Sequence, residues 1–269
     1  MMDTDLALAA YDAQIRRAPR PDDPAASVES DGAVVRVVCD GPGWNTVTWS
    51  GLAGMSGAQV DEVIAAQVAR FGQNGRAWEW KHHDGDVPVD LAVRLVAAGL
   101  TREPDEAVMV AEIADLDLAD CAPDGVELQD VRTPAEVDDL VAVHDLAFGG
   151  DHTAIGQVVG RALDQEPPTV VGVVARADGR PVAAGRVELH HGTEFASLWG
   201  GGTVPQWRSR GVFRALVAHR ARIAAGAGFC CLQVDAAPTS RPILERLGFQ
   251  TLTVTRPFTL DPTTPGAST

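Results

Sequence analysis

The chain holds one lysine, Lys81, and one tyrosine, Tyr11, in 269 residues. Its 22 lysine and arginine residues are outnumbered by 37 aspartates and glutamates, for a net charge of −15. A nucleic-acid binder needs a basic face, so no nucleic-acid partner is expected. An acidic chain attracts cationic substrates such as free amines, although most acidic chains are simply soluble. Cysteine is scarce: Cys39, Cys121, Cys230 and Cys231 show no Cys-x-x-Cys spacing. The adjacent Cys230 and Cys231 lie in an apolar run and are expected to be reduced and buried. His82–His83 and His190–His191 lack the ligand spacing of a zinc site, and no metal is expected. No apolar run approaches the length of a membrane span. Residues 1–10 lack a basic stretch followed by an apolar one, so no signal peptide is indicated. A cytoplasmic protein without a membrane partner is the expectation.

What is present is an ordinary globular composition, 45% hydrophobic and 22% charged, sufficient for one large domain or two. A polar stretch at 115–125, ending in Pro123 and Gly125, reads as a boundary. It divides the chain into domains at 1–120 and 125–262, with a flexible tail at 263–269.

In the second block, residues 126–131 alternate like a strand, and Thr133-Pro134-Ala135-Glu136 reads as a capping box opening a helix. A second helix ends at Pro167-Pro168. Strands follow at 169–175, 181–189 and 194–199, separated by the turns Asp178-Gly179 and His191-Gly192-Thr193. A helix from Val212 to Gly226, a strand at 229–236, a short helix at 240–247 and a strand pair within 250–260 complete the order β-α-α-β-β-β-α-β-α-β. The first block shows strands at 33–40 and 45–50, a helix at 57–71, a strand at 77–83, a helix at 89–100 and a strand at 106–113. Trp78 and Trp80 alternate within their strand, as side chains on one buried face do.

The chemistry concentrates at residues 203–216. A strand runs into a loop carrying Arg208, Arg210 and Gly211, then into an amphipathic helix. Unpaired N–H groups and the positive end of a helix dipole meet there, a natural seat for a pyrophosphate. Arg208, Arg210 and Arg214 add charge, and Gly211 permits close backbone approach. The loop is neither a Walker loop nor a Rossmann fingerprint, since no Gly-x4-Gly-Lys occurs and the glycines precede Pro205.

Arg208-Ser209-Arg210-Gly211-Val212-Phe213 resembles the Arg/Gln-x-x-Gly-x-Gly/Ala motif of the GNAT N-acetyltransferase superfamily, with Phe213 departing at its last position. Residues 240–249, ending in Leu247-Gly248-Phe249, resemble that family's next helix. The resemblance spans about 135 residues. It implies an α/β (α+β) GNAT fold, a mixed central sheet flanked by helices. The first block, whose order repeats the later half of the second, then reads as a truncated, degenerate GNAT-like domain, as in tandem members. The resemblance also implies acetyl-CoA as co-substrate. Thr203 and Val204 would bind the pantetheine arm through their backbone, residues 209–214 (Ser209, Arg210, Gly211, Val212, Phe213 and Arg214) would cradle the pyrophosphate, and Ser240 would touch the arm or cap its helix. The tyrosine that often serves as general acid is replaced by Leu244, which leaves the acid unassigned. Glu194 and Asp235 are the candidates for the base; Glu188, His190 and His191 lie nearby, and Ser197 competes with Glu194 for its position. The expected function is direct acetyl transfer to a small-molecule amine by a monomer or homodimer. A non-catalytic CoA-binding or regulatory protein is the alternative. The first block has no lysine or arginine between Arg36 and Arg70, so it is expected to bind no CoA and to wall the acceptor site instead.

Overall fold

A computed structural model describes residues 2–23, 25–73, 75–119 and 122–261. The expected flexible tail and Cys121 lie outside them. The strands are β1 (Ala26–Ser30), β2 (Val34–Cys39), β3 (Thr46–Ser50), β4 (Trp78–His83), β5 (Thr101–Arg102), β6 (Glu106–Glu112), β7 (Val126–Asp130), β8 (Val170–Ala177), β9 (Arg180–Leu189), β10 (Phe195–Thr203), β11 (Cys231–Ala236) and β12 (Gln250–Leu260). The helices are α1 (Thr4–Tyr11), α2 (Gly57–Gly72), α3 (Leu91–Ala97), α4 (Pro134–Phe148), α5 (Thr153–Ala162), α6 (Val212–Gly226) and α7 (Arg241–Arg246). From β7 to β12 the element order is the one expected from the sequence. The capping box at Thr133 and Glu136 is formed, and Gly149, at φ 77°, closes α4. None of the helices among the described residues is long and apolar enough to cross a membrane.

All the strands join one mixed sheet in the order β1-β2-β3-β4-β12-β6-β11-β10-β9-β8-β7, with β5 beside β12. The two halves of the sequence interleave in it. Strand β6, from the first half, lies between β11 and β12 of the second. Its residues Ala107–Ala111 are buried on both faces, as expected of the uninterrupted apolar run of an interior strand. Met109 joins the core formed by α6, α7 and β11, whereas Phe258 of β12 joins the core beneath α2 and α3. Trp78 and Trp80 pack in that latter core with Phe71 and Leu95.

Three local expectations are corrected. The 250–260 stretch is a single strand rather than a pair, because its first half pairs with β6 and its second with β4. Cys230 is exposed and Cys231 half-buried, because the core is entered one residue earlier, by Phe229. Ser240 sits at the start of α7, but its hydroxyl donates to Ala237 O (3.1 Å) and makes no capping bond. Elements absent from the sequence reading are α1, a π-helical turn at Asp12–Arg16, β1, the two-residue β5, and short 3-10 turns at Ile113–Asp115 and Pro205–Trp207.

Candidate active site

Strands β10 and β11 run parallel and pair only from Phe195/Cys231 to Ser197/Gln233. Beyond that point β10 stays with β9 and β11 with β6, so a gap opens between them. A bulge between Trp199 and Gly202 interrupts the pairing of β10 with β9. Gly200 has φ 60° there, and a Cβ on it would meet the His144 ring at 2.8 Å. Beneath the bulge lies Arg220, 1% exposed. It donates from Nη1 to the carbonyls of Arg186 (3.1 Å) and Trp199 (3.3 Å), and from Nε to Leu216 O (3.1 Å). Burial pulls its pKa down to about 9, so it remains cationic at neutral pH, held by carbonyl dipoles.

At the end of β10 the chain turns through Pro205–Trp207, Ser209 takes φ 61°, and Gly211, at φ 84°, begins α6. Among the described residues, the backbone N–H groups of Ser209 to Arg214 meet no acceptor. Six donors in succession at a helix N-terminus form a nest for an anion. The flanking arginines take other roles. Arg208 braces the loop, donating to Thr203 O (3.1 Å) and Ala147 O (2.9 Å). Arg210 stacks 4.9 Å over Trp207, and Arg214 pairs at the surface with Asp117 (3.0 Å). Val204 N already donates to Val182 O, while the Thr203 hydroxyl is buried without a partner.

The first half contains a second parallel pair, β3 with β4 at Thr46/Glu79 and Val47/Trp80. The space beyond it is bridged by Arg16, whose guanidinium donates to Thr48 O and to the Asp12 and Asp86 carboxylates. Ser56 and Gln59 form a capping box at α2, and Arg94 donates to Gly57 O (3.2 Å). At this helix start Ser56 caps the Gln59 N–H, and the Arg94 guanidinium stands against Gly57.

On one face of the sheet, a cavity of about 670 Å³ spans both halves of the sequence. Strand register explains its floor. Ser197 faces Gln233, Asp235 faces Val108, Glu106 faces Thr255, and Pro257 faces Lys81, so the two-residue period brings these positions to the same side. A hydrogen-bonded chain crosses it. His190 Nε2 is 2.8 Å from Ser197 Oγ, which donates to Gln233 Oε1 (2.6 Å); Gln233 Nε2 donates to Asp235 Oδ1 (2.7 Å), and the other Asp235 oxygen pairs with Lys81. The Asp235 side chain is 1% exposed and that of Lys81 is 15% exposed. Burial pulls the lysine's pKa down, but Asp235 and Glu79 outweigh it and hold the ammonium above its ordinary range. Lys81 also sits 4.9 Å over the Trp199 ring.

Of the two expected bases, Asp235 lies in this cavity. Glu194 lies at the opposite end of β10, where it accepts from Gln14 Nε2 (2.8 Å). Glu188 is bonded to Arg186 (2.9 Å), and burial raises its pKa. Tyr11 lines the cavity with its hydroxyl 3.4 Å from His83 Nε2, whereas Leu244 packs in the core with Leu232 and Phe249. The tyrosine thus does not stand in for the position that Leu244 fills. Sequence reasoning missed Glu79, Lys81, Glu106 and Tyr11. The signal for the first two was the alternation of polar residues with Trp78 and Trp80 in β4.

Burial holds both His144 and His190 near a pKa of about 4. A histidine depressed in the folded state stabilises fully above its ordinary value of 6.5, and that contribution is lost as pH falls through 4. The difference in melting temperature between the protein and His144→Gln is therefore expected to move several degrees in the variant's favour between pH 7 and 4.5. A difference that does not change with pH would contradict the neutral, buried imidazole.

No family model and no curated protein matches the sequence. Solved structures do. A GCN5-related N-acetyltransferase from Kribbella flavida superposes with a TM-score of 0.68 at 19% identity, over 96% of each chain. A tandem GNAT protein from the clavulanic acid biosynthesis pathway gives 0.58 at 17% identity, over 99% of this chain and 95% of that one. A GCN5-related N-acetyltransferase from Sphaerobacter thermophilus gives 0.60 at 15% identity, over 88% and 79%. With a parallel strand pair splayed beside a helix N-terminus, the chain has the mixed α/β GNAT fold.

Proposed function

We propose that the protein is an N-acetyltransferase that moves acetyl directly from acetyl-CoA to the amine of a small cationic molecule. The observation that carries this reading is the run of six free N–H groups at Ser209–Arg214, set at the mouth of a strand gap that leads to an acidic cavity. Acetyl-CoA supplies the activated acyl group. The chain's own residues do the rest: the 209–214 backbone holds the pyrophosphate, and the orphaned Thr203 hydroxyl is available to the arm. The cavity carries seven carboxylates against four lysine or arginine side chains, which favours a cationic acceptor. Residues 1–120 are read as a degenerate GNAT-like unit that walls the acceptor site, and residues 125–262 as the unit that binds CoA. The parallel β3–β4 pair and the side-chain-capped start of α2, with Arg94 against Gly57, support that division of labour.

The first test is a thermal titration with acetyl-CoA. At 100 times the dissociation constant the stabilisation is about 2.7 kcal/mol, several degrees in melting temperature. The second follows release of the CoA thiol with 1,4-diaminobutane, glucosamine and phenylethylamine as acceptors. A thermal shift without thiol release from a broad amine panel would favour the non-catalytic CoA-binding reading, which Leu244 motivates. No shift at saturating acetyl-CoA would sink both.

A further inference from the structure

We propose that Glu106, carried by the β6 strand of the first half, is the general base that deprotonates the acceptor amine. The assignment rests on the acetyltransferase reading and concerns the same site.

Position comes first. Strand β6 is clamped between β11 and β12, so Glu106 stands on a rigid interior strand. Asp235 faces Val108, two residues along β6 on the same face. This makes Glu106 the diagonal neighbour of Asp235, the residue on the far arm of the strand gap; such positions lie roughly 7–8 Å apart. Both line the acceptor cavity.

Availability comes next. Both Asp235 oxygens are engaged, one by Gln233 and one by Lys81. Glu188 is tied to Arg186, and Glu194 is outside the cavity. Among the described residues the Glu106 carboxylate meets no hydrogen-bond donor, so it is free to accept a proton from a ligand. The charged groups that act on it are Lys81 and Glu79 on β4 and Asp235 on β11; Asp22, Glu103, Asp105, Tyr11 and His83 line the same cavity, while its partner Thr255 on β12 is neutral. Burial, opposed by Lys81 and reinforced by Asp235 and Glu79, pushes its pKa up to about 7. A base poised there is half ionised at neutral pH and accepts a proton readily.

The step balances without another reactant. The ammonium proton passes to Glu106, the freed nitrogen lone pair forms the C–N bond, and the C–S bond breaks with its electron pair on sulfur. The second nitrogen proton balances the charge left on sulfur.

The test is Glu106→Gln, assayed by thiol release with the best acceptor of the three-amine panel, alongside acetyl-CoA thermal titration. The variant is expected to keep its acetyl-CoA shift, to lose about 10²-fold or more in kcat, and to lose the acidic limb of the kcat/KM profile near pH 7. If Glu106→Gln does not fold, Glu106→Asp carries the test: it is expected to retain the limb with a lowered kcat, and an unchanged kcat overturns the assignment. Asp22 also lines the cavity, and burial raises its pKa to about 6; full activity in Glu106→Gln overturns the assignment too, as does a limb that survives there but vanishes in Asp22→Asn. Failure of the native protein to acetylate any amine overturns the acetyltransferase reading and this assignment with it. Turnover by the native protein with no change in the variant removes only the base.

Discussion

Lys81→Met is expected to lower the melting temperature by about 10 °C, and Lys81→Met combined with Asp235→Asn to recover most of that loss. The Asp235 carboxylate is 1% exposed, and its ion-pair partner is the chain's single lysine. Removing that partner leaves a buried, uncompensated anion, a change that costs about 3–5 kcal/mol. Removing both charges eliminates the unpaired anion and with it most of the penalty. The pair also ties the halves of the chain together: Lys81 stands on β4, Asp235 on β11, and β12 and β6 lie between them. A double-mutant cycle read by thermal and denaturant melts measures the coupling. A double variant whose loss equals the sum of the two single losses would show that the ion pair contributes nothing.

Gly211→Glu is expected to weaken acetyl-CoA binding about 100-fold or more while leaving the fold intact. At φ 84° the residue is left-handed, a conformation that costs a non-glycine side chain roughly 1–2 kcal/mol. Space is not the obstacle, since a Cβ there would meet only Pro123, at 3.8 Å. The larger effect is electrostatic: the substitution puts a carboxylate on the nest that is to hold two phosphates. The free variant loop relieves the strain by leaving this conformation, so binding must restore it; the two terms are then worth about 3 kcal/mol, or some two powers of ten in affinity. The measurement is calorimetric titration with acetyl-CoA, with Gly211→Ala as the comparison that keeps the strain and omits the charge. Equal affinities for Gly211→Glu and the native protein would place the pyrophosphate elsewhere.

Local rules were enough to read much of this molecule from its sequence. The Thr133–Glu136 cap, the α6 helix beginning after Gly211, and the buried Trp78 and Trp80 each depend on residues a few positions apart, and each is found as read. The same holds for the element order from β7 to β12, because helical and strand periods are set by neighbours in sequence. What the tertiary structure alone decided is which strands lie side by side. Nothing near Glu106 shows that β6 enters the sheet between β11 and β12, more than a hundred residues away. Nothing near Lys81 shows that its partner is Asp235. Glu194 looked suitable because it begins the right strand, yet β10 carries it away from the gap; Glu106 is simply the first residue of the strand read at 106–113, yet the sheet delivers it to the cavity. A strand's period fixes which side chains share a face, but the floor of this cavity is one face of eight strands, β2, β3, β4, β12, β6, β11, β10 and β9. Only long-range pairing brings them together.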